Sequence, residues 1–209
     1  MIEPYAHATV KAGLFFTDMR NGVSPSTNGT HHEKVLTLSA VTQGAFDPDA
    51  WKDGNFDAVP PSEKRISDAD FYMCRGNGNK TLVGTGVFSH EARPDLVFPD
   101  TVIAARVNQD IVSLPFLFVA WQMPAIRQQI ESRARTTNGT YKINQSIITN
   151  IEIALPPMPV QETFTAIIDQ ADKSKFIVQI AIYRDVRGSQ RKSACMATCE
   201  VEQLPITDR

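Results

Sequence analysis

Two consecutive prolines, Pro156 and Pro157, place the firmest limit on how this chain folds. Proline has a fixed φ and no backbone N–H, so neither a sheet ladder nor a helix continues through such a pair. We therefore expect a rigid exit at this point from a globular body formed by residues 1–155. Beyond it we expect a helical segment over 156–185 and a C-terminal segment over 186–209, for which a hairpin is one alternative.

Upstream of the prolines, short apolar runs bounded by Gly, Pro and Asn predict a series of strands. The segments are 35–41, 71–74, 82–88, 101–107 and 147–155. Residues 44–65 are expected to form a polar connection in which Trp51 and Phe56 act as anchors. Strands interrupted by helical segments indicate an α+β fold, with a mixed sheet followed by a helix after the Pro-Pro hinge.

Two stretches have the apolar spacing of a helix. From Val119 to Ile130 the apolar residues recur at steps of four, three and four, and Pro124 lies inside the pattern, so we expect two short helices. A second series with the same steps follows the prolines: Val160, Phe164, Ile167 and Ala171. A helix with one apolar seam needs a partner to cover it. Over 176–199 the pattern fits either a helix or a hairpin.

The charge of the chain is close to balanced, with 21 Lys and Arg against 23 Asp and Glu and a formal net charge of −2. A simple cationic coat for nucleic acid is more basic than this, so any nucleic-acid contact must come from local clusters. There is no apolar run of about 18 residues to predict a membrane span, and no secretory signal. Three cysteines are a sparse, odd set, so we expect a reducing cytoplasm and no membrane association.

Motifs for catalysis and metal binding are missing or incomplete. A Gly-rich segment differs from a phosphate-binding loop because Asn79, and not a glycine, stands immediately before Lys80. No dinucleotide fingerprint and no Asn/Asp-Pro-Pro-Tyr/Phe methyltransferase signature occurs. Cys195 and Cys199 lack a second ligand pair, and a lone strand residue such as Cys74 is typical of packing. We therefore expect no catalytic residues, no cofactor and no metal.

Several short pieces, each weak alone, occur in an order and spacing that resemble one family. The pieces are 20–26 (RNGVSPS), Cys74-Arg75-Gly76, Gly139, Ile143-Asn144, Leu155-Pro156-Pro157 and Gln161. Together they resemble a target-recognition domain, and the start of the helix that follows it, in the specificity subunits of type I restriction–modification systems. The resemblance spans about residues 15–175. Val160 departs from the pattern, since the family usually has Glu at that position.

The resemblance implies a non-catalytic subunit that reads DNA and directs methyltransferase and nuclease subunits to their target. Family members carry two recognition domains, spaced by antiparallel helices, whereas this chain has room for one. It is therefore expected to be a half-length subunit that forms a homodimer, or a truncated product. The implied partners are double-stranded DNA, an adenine methyltransferase (modification) subunit and a restriction/translocase subunit. The seam that begins at Val160 is the implied dimer or partner helix.

Reading bases requires side chains such as Arg, Asn and Gln, whereas phosphate oxygens accept hydrogen bonds from Arg, Lys, Ser and Thr. Three polar loops supply these groups, and the resemblance implies that they contact DNA. The predicted contacts are Arg20, Asn21, Ser26 and Asn28 in the first loop, Arg75, Asn77, Asn79 and Lys80 in the second, and Arg133, Arg135, Thr136, Asn138, Lys142 and Asn144 in the third. The third loop is the most basic. Its alternative interpretation is a solvated helix end, where Arg133 and Arg135 only complement the helix dipole.

Two other functions stay open from the sequence. One is a non-catalytic interaction protein that docks on restriction–modification subunits without reading DNA. The other is an unrelated small-ligand enzyme, against which the missing catalytic set argues. Salt-dependent binding to duplex DNA separates the first prediction from both alternatives.

Overall fold

The computed structural model describes residues 8–171, which divide into two units between Thr163 and Phe164. The helix-or-hairpin alternative for 176–199 and the predicted segment 186–209 lie outside the described residues. The predicted domain boundary at the prolines stays a prediction.

The first unit alternates short strands with short helices. Its strands are β1 (Ala8–Lys11), β2 (Phe16–Asn21), β3 (His31–Leu36), β4 (Trp51–Phe56), β5 (Arg65–Ile66), β6 (Asp70–Cys74), β7 (Gly76–Asn77), β8 (Gly86–Phe88), β9 (Arg93–Val97), β10 (Val102–Val107), β11 (Arg135–Thr137), β12 (Thr140–Lys142) and β13 (Glu152–Leu155). Its helices are α1 (Ser39–Thr42), α2 (Leu114–Trp121), α3 (Pro124–Arg133) and α4 (Gln145–Thr149). Residues 158–171 are also helical and are called α5.

The strands form four sheets. The central sheet has the order β2-β10-β6-β8 and is antiparallel. A second four-stranded sheet, β4-β3-β9-β5, contains the parallel pair β3–β9 and is therefore mixed. Two smaller sheets pair β1 with β13 and join β11, β12 and β7. The predicted α+β fold with a mixed sheet is confirmed.

The core between the central sheet and α2 is aromatic. Trp121, at the end of α2, is fully buried, and its ring centroid lies 5.8 Å from that of Phe16 and 5.7 Å from that of Phe71. Its indole N–H donates to the carbonyl of Gly84 at 2.8 Å. A Cβ on Gly86 would collide with the Phe71 ring, so the close approach of β8 to this cluster requires glycine.

The predicted pair of helices around Pro124 is present, for the expected physical reason. The side chain of Ser113 caps α2, and Pro115 lies in its first turn, where a missing N–H costs nothing. The helix ends at Trp121, and Pro124 starts α3 because proline suits a first helical turn and not an interior one.

Three predicted strands are wrong over part of their length, and the predicted connection 44–65 contains strand β4. The segment 82–88 begins as a turn and is extended only over β8. The segment 35–41 leaves the extended conformation after Leu36 and becomes α1, whose short turn buries Ala40 and Val41 side by side. The segment 147–155 begins as α4, and only its second half is strand β13. In α4 the side-chain oxygen of Asn144 caps the helix, a local signal that outweighed the strand-like apolar run.

Asp70, at the start of β6, carries a fully buried carboxylate. Asp70 accepts hydrogen bonds from the Nη2 of Arg20 at 2.5 Å and from the Nε of Arg106 at 2.6 Å. Arg20 is itself 8% exposed and also donates from Nε to the carbonyl of Glu63 at 2.6 Å. A buried charge is tolerated only when it is paired and hydrogen-bonded, and this network meets both conditions.

The ion pair between Glu33 and Arg65 should make stability depend on pH in the acid range. Two hydrogen bonds of 2.8 and 3.1 Å join the side chains, and the hydrogen bond from Arg65 lowers the pKa of Glu33 below its ordinary value of 4.5. A lowered carboxyl pKa stabilises the fold above the ordinary pKa, and the contribution disappears as the pH falls through the folded value. Glu33→Gln should lose about 1 kcal/mol at pH 7 and less at pH 3 by urea unfolding. An equal loss at both values would contradict the assignment.

Candidate nucleic-acid interface

One end of the central sheet gathers the starting points of the first two predicted loops. Asn21, the last residue of β2, pairs with Ile103, and Cys74, the last residue of β6, pairs with Val102. Ile103 and Val102 are neighbours at the start of β10. The segments that follow Asn21 and Cys74 therefore leave the sheet at the same end.

The turn before β10 connects these two segments. Gly22 donates its N–H to the carbonyl of Val102 at 3.1 Å. Arg75 donates its N–H to the carbonyl of Thr101 at 2.8 Å and its Nη1 to the carbonyl of Asp100 at 3.1 Å. A Cβ on Gly22 would collide with the carbonyls of this turn, so glycine is required for the first loop to pass so close.

The third loop joins the second in one small sheet. Strands β11 and β12 form a hairpin, and β12 pairs in turn with β7 of the second loop, so that Tyr141 lies opposite Asn77 and Lys142 opposite Gly76. The N–H of Ile143 donates to the carbonyl of Arg75 at 2.9 Å and closes the base of the hairpin. We call the three strands β7, β12 and β11, together with Lys80 and Arg133, the basic sheet.

The hairpin has a rigid two-residue tip. Asn138 and Gly139 have φ values of 48° and 74°, as a type I′ turn requires at both central positions. An added Cβ on Gly139 would meet no atom within 4 Å, so the tip projects into open space. A turn of this type matches the twist of the strands and holds the hairpin in a fixed register.

Positive charge is concentrated in the basic sheet although the chain is slightly acidic overall. The two segments that build it, 71–90 and 132–151, contain no Asp or Glu. They contribute the cationic side chains of Arg75, Lys80, Arg133, Arg135 and Lys142. The last four are exposed, and Arg75 is half-buried. The fold thus unites two acid-free segments that are more than forty residues apart along the chain.

The individual contacts of these cations leave their charge exposed. The ammonium of Lys80 lies 5.9 Å from the centroid of the Tyr141 ring. Arg133 donates from Nη1 to the side-chain oxygen of Gln129 at 3.2 Å and to the carbonyl of Asn150 at 3.3 Å. None of these partners carries a charge, so the cations are not neutralised by these contacts.

The first loop contributes less to this surface than the sequence suggests. Arg20 faces the core and is held by Asp70, so we leave it out of the proposed DNA contacts. Beyond Asn21 the loop turns toward β4: the N–H of Ser26 donates to the carbonyl of Asn55 at 2.7 Å. Ser26 is half-buried, and its hydroxyl accepts from the N–H of Asn28, which is exposed.

Three predicted base-reading asparagines have local structural partners. The side-chain oxygen of Asn77 accepts from the N–H of Asn79 at 2.8 Å, and that of Asn79 accepts from Thr81. The oxygen of Asn144 caps α4 by accepting from Ile147 at 2.9 Å. Asn favours turns and caps for this reason, and the sequence alone does not separate that use from base reading. Their DNA contacts stay predictions, as do those of exposed Thr136 and Asn138.

Sequence reasoning missed a residue that fixes the second loop. Arg127, on α3, donates from Nη2 to the carbonyls of Thr81 and Val83 at 2.9 and 2.8 Å, and it pairs with Glu131 one turn later. Burial lowers the pKa of Arg127 below its ordinary value. The spacing of Arg127 and Glu131 is visible in the sequence, but the backbone partners are not.

The described residues show neither a reactive thiol nor a metal site. Cys74 is buried, and burial raises its pKa to about 11, so the thiol is protonated at neutral pH and is a poor nucleophile. Over 8–171 no group of three or more His, Cys, Asp or Glu side chains is placed to hold a metal ion. No helix in this range is long and apolar enough to cross a membrane.

The first turn of α5 is fixed by one buried amide. The side-chain oxygen of Gln161 accepts from the N–H of Ser113 at 3.0 Å, and its nitrogen donates to the carbonyls of Ile111 and Pro156 at 3.1 and 2.9 Å. Val160 beside it is half-buried. These three contacts hold the segment after the prolines against the start of α2.

In the second unit the predicted seam continues through residues 164–171. Phe164 is half-buried, Ile167 is 59% exposed and Ala171 is exposed. The structure leaves the partner of this seam a prediction.

No protein-family model matches this sequence, and no curated protein matches it. The fold is similar to that of solved structures of type I R-M proteins. The HsdS subunit from Thermoanaerobacter tengcongensis is similar with a TM-score of 0.63 and 18% identity, covering 99% of this chain and 52% of that one. A chain from a structure on complex assembly and conformational transition of the type I R-M system has a TM-score of 0.60 and 17% identity, covering 91% and 44%. The chain thus spans about half the length of these relatives.

Proposed function

We propose that this chain is the sequence-specific DNA-binding component of a type I restriction–modification system, without catalytic activity of its own. The observation that carries the proposal is the basic sheet, in which two acid-free segments join and expose four cations on one small scaffold. The fold shared with an HsdS subunit supports it. In this role the chain directs methyltransferase and nuclease subunits to their target.

The basic sheet resolves the conflict between the charge of the chain and DNA binding. A duplex carries one phosphate charge per about 1.7 Å of its axis, so a cluster of exposed cations gains affinity by releasing counterions. In about 0.1 M salt, exposed charges more than about 10 Å apart are largely screened from each other, so only nearby charges affect binding at the basic sheet. A net charge of −2 spread over other surfaces is therefore compatible with binding at this sheet.

The proposed assembly rests on the apolar seam of α5. Residues 1–155 form the recognition domain in this proposal, and 156–185 form the helix that pairs with a partner, with 186–209 as a C-terminal segment. The seam of Val160 and its continuation binds a second copy, so that two domains read inverted half-sites. An adenine methyltransferase subunit and a restriction/translocase subunit bind the resulting dimer in the cytoplasm.

We expect the full chain to bind duplex DNA with an affinity that falls steeply as salt rises. The slope of log K against log salt is about −0.9 per phosphate contact in B-form DNA. Lys80→Ala and Arg133→Ala should each reduce the slope by about 1 and weaken binding to all sequences alike. Fluorescence anisotropy with a labelled duplex between about 50 and about 200 mM salt measures both quantities.

Lys52→Ala is the matched control, because Lys52 is an exposed cation on β4 outside the basic sheet. It should leave the slope unchanged. Absence of salt-dependent duplex binding, both by the chain alone and with the methyltransferase subunit, would overturn the proposal. A complex with that subunit that is indifferent to DNA would then favour docking without DNA reading.

A further inference from the structure

The two faces of the β11–β12 hairpin differ in chemistry. Side chains directly opposite each other in an antiparallel pair lie on the same face, and successive residues alternate between faces. One face therefore carries Arg135 opposite Lys142, followed across the sheet by Gly76. The other face carries Thr136 opposite Tyr141, with Asn77 as the next neighbour.

The two cations lie on an exposed face of the hairpin. Tyr141 on the opposite face is half-buried, and the ammonium of Lys80 lies over its ring. Arg135 and Lys142 are both exposed. A Cβ on Gly76 would lie 3.4 Å from the Cγ of Lys142, an ordinary van der Waals contact, so the aliphatic part of that lysine lies against the glycine.

The pairing of two like charges points to a ligand. Cations placed directly opposite on neighbouring strands destabilise a sheet, and 132–151 supplies no acidic side chain to compensate them. A lysine and an arginine held side by side in this way form a fork of N–H donors. Such a fork fits two acceptors that lie close together and carry negative potential.

We propose that Arg135 and Lys142 read guanine in the major groove of the target, through the O6 and N7 acceptors of the base. This inference rests on the proposed function and specifies its substrate. Arg and Lys pair with these two atoms more often than with any other base edge, and the major groove admits a two-stranded ribbon. Phosphate oxygens offer the same acceptor chemistry, so the test must separate a base from the backbone.

The test is a selection from a pool of duplexes with a randomised centre, using the full chain. The wild type, Arg135→Ala, Lys142→Ala and the control Lys52→Ala are compared. We expect the wild type and the control to select sites with guanine at one defined position. Arg135→Ala or Lys142→Ala should lose the preference at that position alone and keep the rest of the selected sequence.

A second measurement changes the base in the DNA and not the protein. Replacing the selected guanine with 7-deazaguanine removes the N7 acceptor and should weaken wild-type binding by about fivefold or more. The same replacement should have no effect on the variant that lost the preference. Equal weakening of all sequences by both variants, together with indifference to 7-deazaguanine, would overturn the guanine assignment and leave DNA binding intact. Failure of every protein to bind duplex in a salt-dependent way would instead overturn the proposed function, and this inference with it.

Discussion

Replacing Asp70 with alanine should destabilise the first unit by about 3–5 kcal/mol, because it leaves a buried arginine without its counter-charge. Asp70 is fully buried between Arg20 and Arg106, and Arg20 is 8% exposed. Without the carboxylate, the guanidinium of Arg20 keeps its bond to the carbonyl of Glu63 and loses its principal anion. Urea unfolding of the full chain, followed by far-UV circular dichroism, measures the change.

Asp95→Ala is the matched control for that experiment. Asp95 also pairs with an arginine, Arg93, at 2.9 Å, but its side chain is 43% exposed. Water and salt screen an exposed pair, so we expect a loss of about 1 kcal/mol or less. A loss at Asp70 as small as that at Asp95 would show that the buried network does not stabilise the fold as the structure indicates.

Arg20 and Arg135 show which part of the site the sequence predicts. Both are arginines at the edge of a polar, Gly-containing loop, so residue type and local pattern assign them the same role. The structure separates them because Arg20 lies on β2 within reach of Asp70, fifty residues further along the chain. Pairing across such a separation depends on strand register, which a local sequence pattern does not contain.

The sequence contains a signal for the hairpin of the basic sheet, but it contains no signal for the pairing of that hairpin with β7. Asn138-Gly139 between two runs with Thr and Tyr is a strong hairpin signal, although the predicted structure for these residues is only a loop. The pairing of β12 with β7 joins segments about sixty residues apart and is not visible locally. The helix break at Pro124 was predictable because proline acts on its own backbone.

Trp121 is the second residue whose replacement should have a large effect, because it joins the core to the second loop. Trp121→Ala removes a fully buried ring that packs on Phe16 and Phe71, and we expect a loss of about 3–5 kcal/mol. Trp121→Phe keeps much of that packing but leaves the buried carbonyl of Gly84 without the indole N–H at 2.8 Å. An unsatisfied buried acceptor costs about 1–3 kcal/mol, so Phe should fall between Ala and the wild type.

Denaturant unfolding of the three proteins measures these losses, and a probe of the second loop tests the connection to function. Gly84 ends that loop in a left-handed conformation with φ of 70°, and its N–H donates to the carbonyl of Cys74 at 2.8 Å. Hydrogen exchange at 76–84 should therefore be faster in Trp121→Phe than in the wild type. If stability falls while exchange over these residues stays unchanged, the tryptophan acts through packing alone, and the basic sheet is held by Arg127 without its help.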